Sequence, residues 1–387
     1  MYPDLSYFLH DIFGTARDNG FSIVKTFGLL LGITFIVMTY ILYLEFKRKE
    51  KEGHLHSFSK MVVTGKGPDW TEVFFNGAIG FFLFFKIPYI YQNFDEFKAD
   101  AAGIIFSISG FLMLGIIGLV IFGGYSYYIG IKNKLEKPKT IKQVTFPSHK
   151  VGDVIILAAI TGIIGSRVFS ILENLDSFIA DPIGQLLSGS GLTVYGGLIF
   201  GTFAVAYYLK KMSVNILHGA DSIAPALMMG YALGRVGCQL SGDGDWGIVN
   251  EAAKPSWFIF PDWAWAYDYP HNVLNEGVRL ANCVGNHCMK LSPPVYPTPI
   301  YEITFCLLAF AFMWLIRKRI KITGTLFCIF LILTGIERFL VEYIRINPTY
   351  NFLGMDLSQA QFIAIALFAF GIGGLLYLKN THRKPST

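Results

Sequence analysis

Arg167, Arg235 and Arg338 stand inside long apolar stretches of this chain, and Lys86, Glu302, Glu337, Glu342 and Arg345 stand in or beside others. An ionised group in hydrocarbon is costly, so a charged side chain there is a functional-site hypothesis by default. The bland alternative is snorkelling, in which Lys and Arg near a helix end reach for water and do nothing more. Snorkelling and function weigh equally for Lys86 and Arg345. For Arg167, Arg235 and Arg338 it accounts less well, because several helices share the feature and carboxylates join them. The planar fork of arginine suits phosphate oxygens. A lateral site lined by such residues at headgroup depth is suited to an anionic phospholipid headgroup.

The elements that carry these residues follow from composition. Of 387 residues, 53% are hydrophobic and 15% charged, with a mean hydropathy of +0.48. Soluble domains average about 25% charged residues, and 35 Phe with 20 Tyr exclude a disordered chain. Uncharged runs at Thr26–Leu44, Ala101–Ile131, Pro182–Leu209 and Leu357–Leu378 exceed the roughly 18 residues of a spanning candidate. Shorter or charge-bearing runs at 73–91, 154–172, 222–238, 303–316 and 322–336 bring the expectation to nine helices. Lipid offers no partner to open backbone groups, so helices are required; continuous rather than alternating runs argue against a barrel. With the N-terminus outside, the inner segments hold 21 Lys and Arg and the outer segments 6. The positive-inside rule therefore predicts a periplasmic N-terminus and a cytoplasmic C-terminus. Residues 1–25 are polar and read as no cleavable signal peptide. The fold expected is an all-α polytopic membrane protein, a single membrane-embedded domain over 1–387.

On that topology Arg167 lies 13 residues past Val154, about 20 Å up its helix, in the outer half. Arg235 closes an outward helix, Glu302 opens an inward one, and Glu337 to Arg345 fill the outer end of another. The loop from about 238 to 301 is rich in Trp and Tyr, including Trp246, Trp257, Trp263 and Trp265. It reads as a periplasmic cap resting on the outer leaflet. Within it NCVGNHC carries Cys283, His287 and Cys288. Two thiols and one His are an incomplete zinc set. In an oxidising compartment a disulfide is favoured over free thiols. Cys306 and Cys328 fall in spans and read as packing residues. Gly196 and Gly197 in VYGGL, and Gly237 and Gly247 around GRVGCQLSGDGDWG, permit close backbone approach; in membrane helices glycine more often marks tight helix packing.

Taken in order, these motifs resemble those of the prolipoprotein diacylglyceryl transferase family. VKTFGLLLG (24–32) resembles the family's Arg-Trp-Tyr-Gly-Leu, IGSRV (164–168) its Gly-Ala-Arg helix, and TVYGGL (193–198) its His-Gly-Gly-Leu. The stretch 224–247 resembles the signature around Gly-Arg-x-Gly-Asn-x-x-Asn-Gly-Glu. YPTPIYE (296–302) resembles His-Pro-Ser-Gln-Leu-Tyr-Glu, and RFLVEYIR (338–345) with MDLSQ (355–359) the closing segment. The chain departs from the family at Phe27, at Tyr195 in place of the motif His, and at Cys238 and Ser241 in place of the two Asn. Asp243 stands for Glu, with one extra residue before Trp246-Gly247. A helix pair at about 70–131 looks inserted relative to seven family spans.

The resemblance implies transfer of a diacylglyceryl group from phosphatidylglycerol to the lipobox cysteine thiol of a preprolipoprotein at the bacterial inner membrane. A thioether forms and glycerol 1-phosphate leaves. Catalytic roles carry over to Arg235 and Arg338, which face the leaving phosphate, to Asp243 and to Tyr195. Substrate contacts carry over to Arg167, Gly196, Gly197, Gly237, Cys238, Gly247, Tyr301, Glu302, Glu342 and Arg345. A phenol of pKa ~10 is a poor base, so Tyr195 is expected to hydrogen-bond or orient the lipid. Asp243, Glu302 and Glu342 are the carboxylates able to accept the thiol proton, with Asp243 preferred. Ion pairing with Arg338 or Arg345 is the favoured role of Glu302 and Glu342. Arg167 is an extra headgroup contact or a structural pair to Glu173. Cys238 is read as packing or hydrogen-bonding, not as a nucleophile. The expected partners are phosphatidylglycerol, a signal peptide with its lipobox Cys, and membrane lipid; no cofactor, metal or nucleic acid is expected. Two other classes compete. One is a silent paralogue that binds lipid or lipoprotein, left open by the lost His and Asn. The other is a transporter of an anionic lipid or solute, disfavoured because the charges cluster outward and no repeat is visible.

Overall fold

The computed structural model describes residues 1–99, 101–187, 193–352 and 354–383. Fourteen helices appear among them: α1 (Leu5–Phe13), α2 (Thr26–Lys51), α3 (Trp70–Gln92), α4 (Phe94–Ala99), α5 (Ala101–Phe106), α6 (Leu112–Lys132), α7 (Val151–Glu173), α8 (Leu175–Ala180), α9 (Pro182–Leu187), α10 (Val194–Lys211), α11 (Ile216–Ser241), α12 (Thr298–Ile316), α13 (Thr325–Val341) and α14 (Gln359–Arg383). Three antiparallel two-stranded ribbons accompany them: β1 (Phe58–Thr64) with β2 (Lys139–Thr145), β3 (Val278–Arg279) with β4 (Met289–Lys290), and β5 (Thr349–Phe352) with β6 (Met355–Ser358). By length and apolarity six helices can cross a membrane, namely α2, α3, α6, α7 with the residues just before it, α12 and α14. The protein is a helical, multi-pass membrane protein.

Of the nine expected spans, 182–209, 222–238 (within α11) and 322–336 are not among these six, and 101–131 is interrupted. The run 101–131 is two helices, broken between α5 and α6. Lys86 on α3 sits at the break and is buried. Its Nζ donates to the carbonyls of Ile104 and Ser109 at 2.9 Å, to Ser107 Oγ at 3.0 Å and to the Ser107 carbonyl. The lysine thus satisfies backbone oxygens that the interrupted helix leaves open, and it neither snorkels nor lines a site. The run 182–209 comprises α9 and α10, with residues 188–192 outside the described residues. The region 322–336 is α13, 17 residues long and carrying Glu337 and Arg338.

The chain forms two compact units. The first comprises 1–56, 148–155 and 209–387, the second 57–147 and 156–208. In the first, α11 packs against α2, α12 and α13. Buried residues one turn apart on α11 make the contact. Ala224, Met228 and Ala232 of α11 meet Cys306, Ala309 and Met313 of α12 and Leu326 of α13, all buried. Cys306 and Cys328 are buried and unpaired, as packing residues should be. A smaller cluster of Trp246, Tyr269, Leu291 and Val295 holds the 242–297 segment together, and Cys283 and Cys288 are joined as a disulfide.

In the second unit α3 and α6 form a close hairpin. A Cβ on Gly118 would come within 2.8 Å of Phe84 Cβ, so only glycine lets the two backbones approach this far. α7 and α10 meet in the same way, and a Cβ on Gly196 would stand 2.6 Å from Phe169 Cβ.

Candidate functional site

Three helix ends in the first unit bring guanidinium and carboxylate groups together. α11 delivers Arg235 from its last two turns and ends at Gly242, whose left-handed φ of 64° lets its N–H return to the Cys238 carbonyl at 3.0 Å. Gly244, at φ 97°, completes the reversal. Asp245 thereby turns back over Arg235, held by Thr298 Oγ1 donating to its carbonyl at 2.6 Å. Gly247 then threads between two strands of backbone: its N–H reaches the Tyr296 carbonyl at 2.8 Å, and the next N–H reaches that of Ile344 at 2.8 Å. A Cβ on Gly247 would lie 2.9 Å from Thr298 Cγ2, so this crossing requires glycine. α12 supplies Glu302 from its first turns. α13 supplies Glu337 and Arg338, and the short turn Glu342–Ile344 leads to Arg345.

Glu302, with no exposed surface, is the centre. Arg235 Nε lies 2.8 Å from its Oε2, Arg345 Nη1 donates to Oε1 at 3.1 Å, and Arg338 Nη1 is 3.7 Å from Oε1. Asp245 is paired with both Arg235 and Arg345. Glu342 holds Arg338 Nη2 at 3.0 Å and accepts from Asn347 Nδ2 at 2.7 Å and Ser358 Oγ at 2.6 Å. Three guanidiniums thus face three carboxylates in a half-dry setting. Each guanidinium has five N–H donors, more than these contacts consume. Arg338 Nη1 is buried and donates no hydrogen bond among the described residues. The cluster can therefore offer oriented donors to an anionic oxygen, although the formal charges of these six side chains balance.

Asp243 stands apart from the guanidiniums. Among the described residues it forms no ion pair; its neighbours are the Cys238 thiol and the backbone N–H of Asp245, 3.4 Å from Asp243 Oδ1. Burial, followed by the charge of Asp245, lifts its carboxyl above the ordinary value against the Cys238 hydrogen bond and Arg235. For Asp245 burial acts in the same direction, but Arg235 and Arg345 overcome it and hold the carboxyl below the usual range. Two adjacent carboxylates therefore differ in proton affinity for a stated reason. Cys238, Asp243 and Asp245 also lie close enough to be read as a cation site. With Asp245 committed to two guanidiniums, the donor set does not suit a metal.

The structure brings Arg235, Arg338, Arg345, Glu302 and Glu342 together, with Cys238 at 3.8 Å from Arg235 Nη1 and Asp243 beside it. The favoured pairing of Glu302 and Glu342 with Arg338 or Arg345 is present. Tyr301 turns to the cap, its hydroxyl donating to the Ala264 carbonyl at 2.8 Å. Gly237 faces α2, where a Cβ would meet Phe27 at 3.1 Å. Arg167, Tyr195, Gly196 and Gly197 belong to the second unit. Tyr195 is half-buried in the first turn of α10, Gly196 and Gly197 face α7, and Glu173 accepts from Thr193 Oγ1 at 2.8 Å.

Sequence reasoning missed Asp245. The extra residue before Trp246 was the available signal, since it leaves two acidic residues eligible for one motif position. Glu337, 1% exposed, was noticed only as one charge among several. The Tyr231 hydroxyl is the donor beside it, short of full hydrogen-bonding geometry.

Comparison with known proteins agrees with this assembly. The family model described as prolipoprotein diacylglyceryl transferase matches residues 103–377, a stretch that holds every residue of the cluster. Among similar proteins is a phosphatidylglycerol–prolipoprotein diacylglyceryl transferase of Clostridium tetani, 28% identical over 264 residues, covering 67% of this chain and 94% of the relative. One of the same name from Dehalococcoides mccartyi is 27% identical over 238 residues, covering 60% and 80%. A third, from Corynebacterium diphtheriae, is 28% identical over 240 residues, covering 61% and 80%. With a match extending over well more than half its length, this chain belongs to the prolipoprotein diacylglyceryl transferase family.

Proposed function

We propose that this protein transfers the diacylglyceryl group of phosphatidylglycerol to the lipobox cysteine thiol of a preprolipoprotein, at the periplasmic leaflet of a bacterial inner membrane. The observation that carries the reading is the convergence of Arg235, Arg338 and Arg345 on Glu302 at the ends of three helices. The thiolate sulfur attacks the glyceryl carbon that bears the phosphate ester. A carbon–sulfur bond forms, the carbon–oxygen bond breaks, and the electron pair leaves on glycerol 1-phosphate. The charge that develops on the phosphate oxygens needs donors already in place. Arg235 and Arg338 supply them, with Glu302 and Glu342 fixing the orientation of the forks. Asp243 takes the thiol proton. Unlike Asp245, Glu302 and Glu342 it forms no ion pair with a guanidinium among the described residues, and its raised proton affinity makes it a better acceptor than Asp245.

Nine spans, a periplasmic N-terminus and a cap over 238–301 complete the proposal, supported by the Lys and Arg bias between loops. Exposed Trp257, Ile259, Phe260 and Trp263 on the cap suit an interfacial resting place. The test is incubation of the purified full-length protein with phosphatidylglycerol vesicles and a lipobox peptide, read by mass. A peptide gaining one diacylglyceryl group is expected. No adduct from folded protein would reject the transferase reading and favour a silent lipid-binding relative or a transporter.

A further inference from the structure

The first unit carries a second polar cluster at the other end of its bundle. His218 and Arg235 lie on the same helix, 17 residues apart, so at 1.5 Å per residue the two clusters are separated by roughly 25 Å. Here the end of α2, the start of α11 and the α12–α13 connection surround a small cavity of about 40 Å³ that opens to solvent. Its basic lining is Arg48, Lys49, His54, His218, Arg317 and Lys321; its acidic lining is Glu52 and Asp221 alone.

The cations are held in place from behind. Arg48 pairs with Glu45 and with Glu52, at 2.7 Å each, and Arg317 Nε reaches Glu45 at 2.7 Å while the guanidinium lies over the Trp314 ring. Lys49 donates to the His218 carbonyl at 2.8 Å and stands 3.9 Å from Asp221. Asp221 has already accepted the N–H groups of Gly324, at 2.7 Å, and Phe327, at 3.0 Å, at the start of α13. Its charge is therefore spent on orienting α13 as much as on Lys49. The rings of His54 and His218 stack at 5.0 Å. Lys321 is exposed and forms no ion pair among the described residues. Side-chain exposures of 16% for Arg48, 12% for Arg317 and 6% for Lys49 mark these as built-in charges rather than solvated ones. An ion-pair clamp between helices would need no cavity and no surplus of cations over the carboxylates that face it.

We propose that this cavity binds a phosphate group, presented by a soluble phosphate or by the headgroup of an acidic phospholipid. Guanidinium forks and an exposed ammonium are the donor set that phosphate oxygens favour. The cavity lies at the polar ends of α2 and α12, both long and apolar enough to span a membrane, which puts a lipid headgroup within reach.

The test is hydrogen–deuterium exchange of the full-length protein in phosphatidylcholine nanodiscs, read on peptides covering 48–55 and 317–327. One arm adds millimolar inorganic phosphate against chloride of equal ionic strength; the other replaces a minor fraction of the lipid with phosphatidic acid. Several-fold slower exchange of these peptides in the phosphate arm assigns a soluble ligand, and in the lipid arm a headgroup. Lys321→Ala, an exposed change that breaks no ion pair, should abolish the protection, and Arg317→Lys should weaken it. Unchanged exchange in both arms, or equal protection in Lys321→Ala, overturns the proposal. Peptides around 235–247 and 338–345 report the other cluster separately, so binding there is not mistaken for binding here.

Discussion

Replacing Arg235 by Lys separates the scaffolding role of this side chain from its chemical one. Arg235 reaches Glu302 through Nε at 2.8 Å and pairs with Asp245 through Nη1. Arg345 touches the same two carboxylates, Glu302 at 3.1 Å and Asp245. Neither carboxylate is therefore orphaned when Arg235 changes. The structural cost is that of the lost charge-assisted hydrogen bonds, about 1.5–3 kcal/mol, rather than the roughly 3–5 kcal/mol of an uncompensated buried charge. Lysine keeps the charge but offers one ammonium where two edges of a plane were used. If Arg235 holds the phosphate as its ester bond opens, the loss of an oriented donor costs about 2.7–4 kcal/mol in the transition state, or 10²–10³ in kcat. The expectation is a protein that inserts and unfolds at only a slightly lower temperature, with kcat lowered by that factor and Arg235→Ala inactive. Thermal unfolding in detergent and the rate of peptide mass gain measure the two effects on one preparation. A folded Arg235→Lys or Arg235→Ala protein with wild-type kcat would refute the reasoning.

Asp243 should give stability a pH dependence of known sign. Its carboxyl is raised on folding, so the folded state favours the protonated form and the penalty for the anion grows as pH rises through the folded value. Asp243→Asn should therefore raise the unfolding temperature near neutral pH. The gain should vanish below about pH 3.9, where the unfolded carboxyl is also protonated; a gain independent of pH contradicts the burial argument. Tyr195→Phe tests the phenol: a strongly reduced rate assigns work to the hydroxyl, and a near-native rate reduces Tyr195 to packing. Reduction of Cys283–Cys288, a link across 5 residues, should cost about 2 kcal/mol by loop entropy, seen as a lower unfolding temperature in dithiothreitol that Cys283→Ser abolishes.

Much of this molecule was legible in one dimension because burial in lipid leaves few choices. A long uncharged run must be helical, and a charge inside it demands a reason. That logic found Arg235, Arg338, Arg345, Glu302 and Glu342, and the cysteine spacing with an oxidising compartment anticipated the disulfide. Motif order, rather than any single motif, pointed to the family. Continuity of apolar residues misled where a helix breaks without a charge to mark it, as between α5 and α6, since the lysine that caps the break lies some twenty positions earlier on α3.

What the linear pattern left open was pairing. Asp243 and Asp245 are both acidic residues of one glycine-rich turn, and nothing local says which faces a guanidinium. The reversal at Gly242 and Gly244, tied down by Thr298, hands Asp245 to Arg235 and Arg345 and leaves Asp243 beside Cys238. Likewise the basic residues at the end of α2, the start of α11 and the α12–α13 connection are unremarkable as positive loops. Only their convergence on one cavity distinguishes them. Residue type and spacing determine which groups enter the membrane and as what element. Which of those groups meet is decided by helix packing and turn geometry, because charge–charge and hydrogen-bond energies depend on distances that are set by contacts remote in the chain.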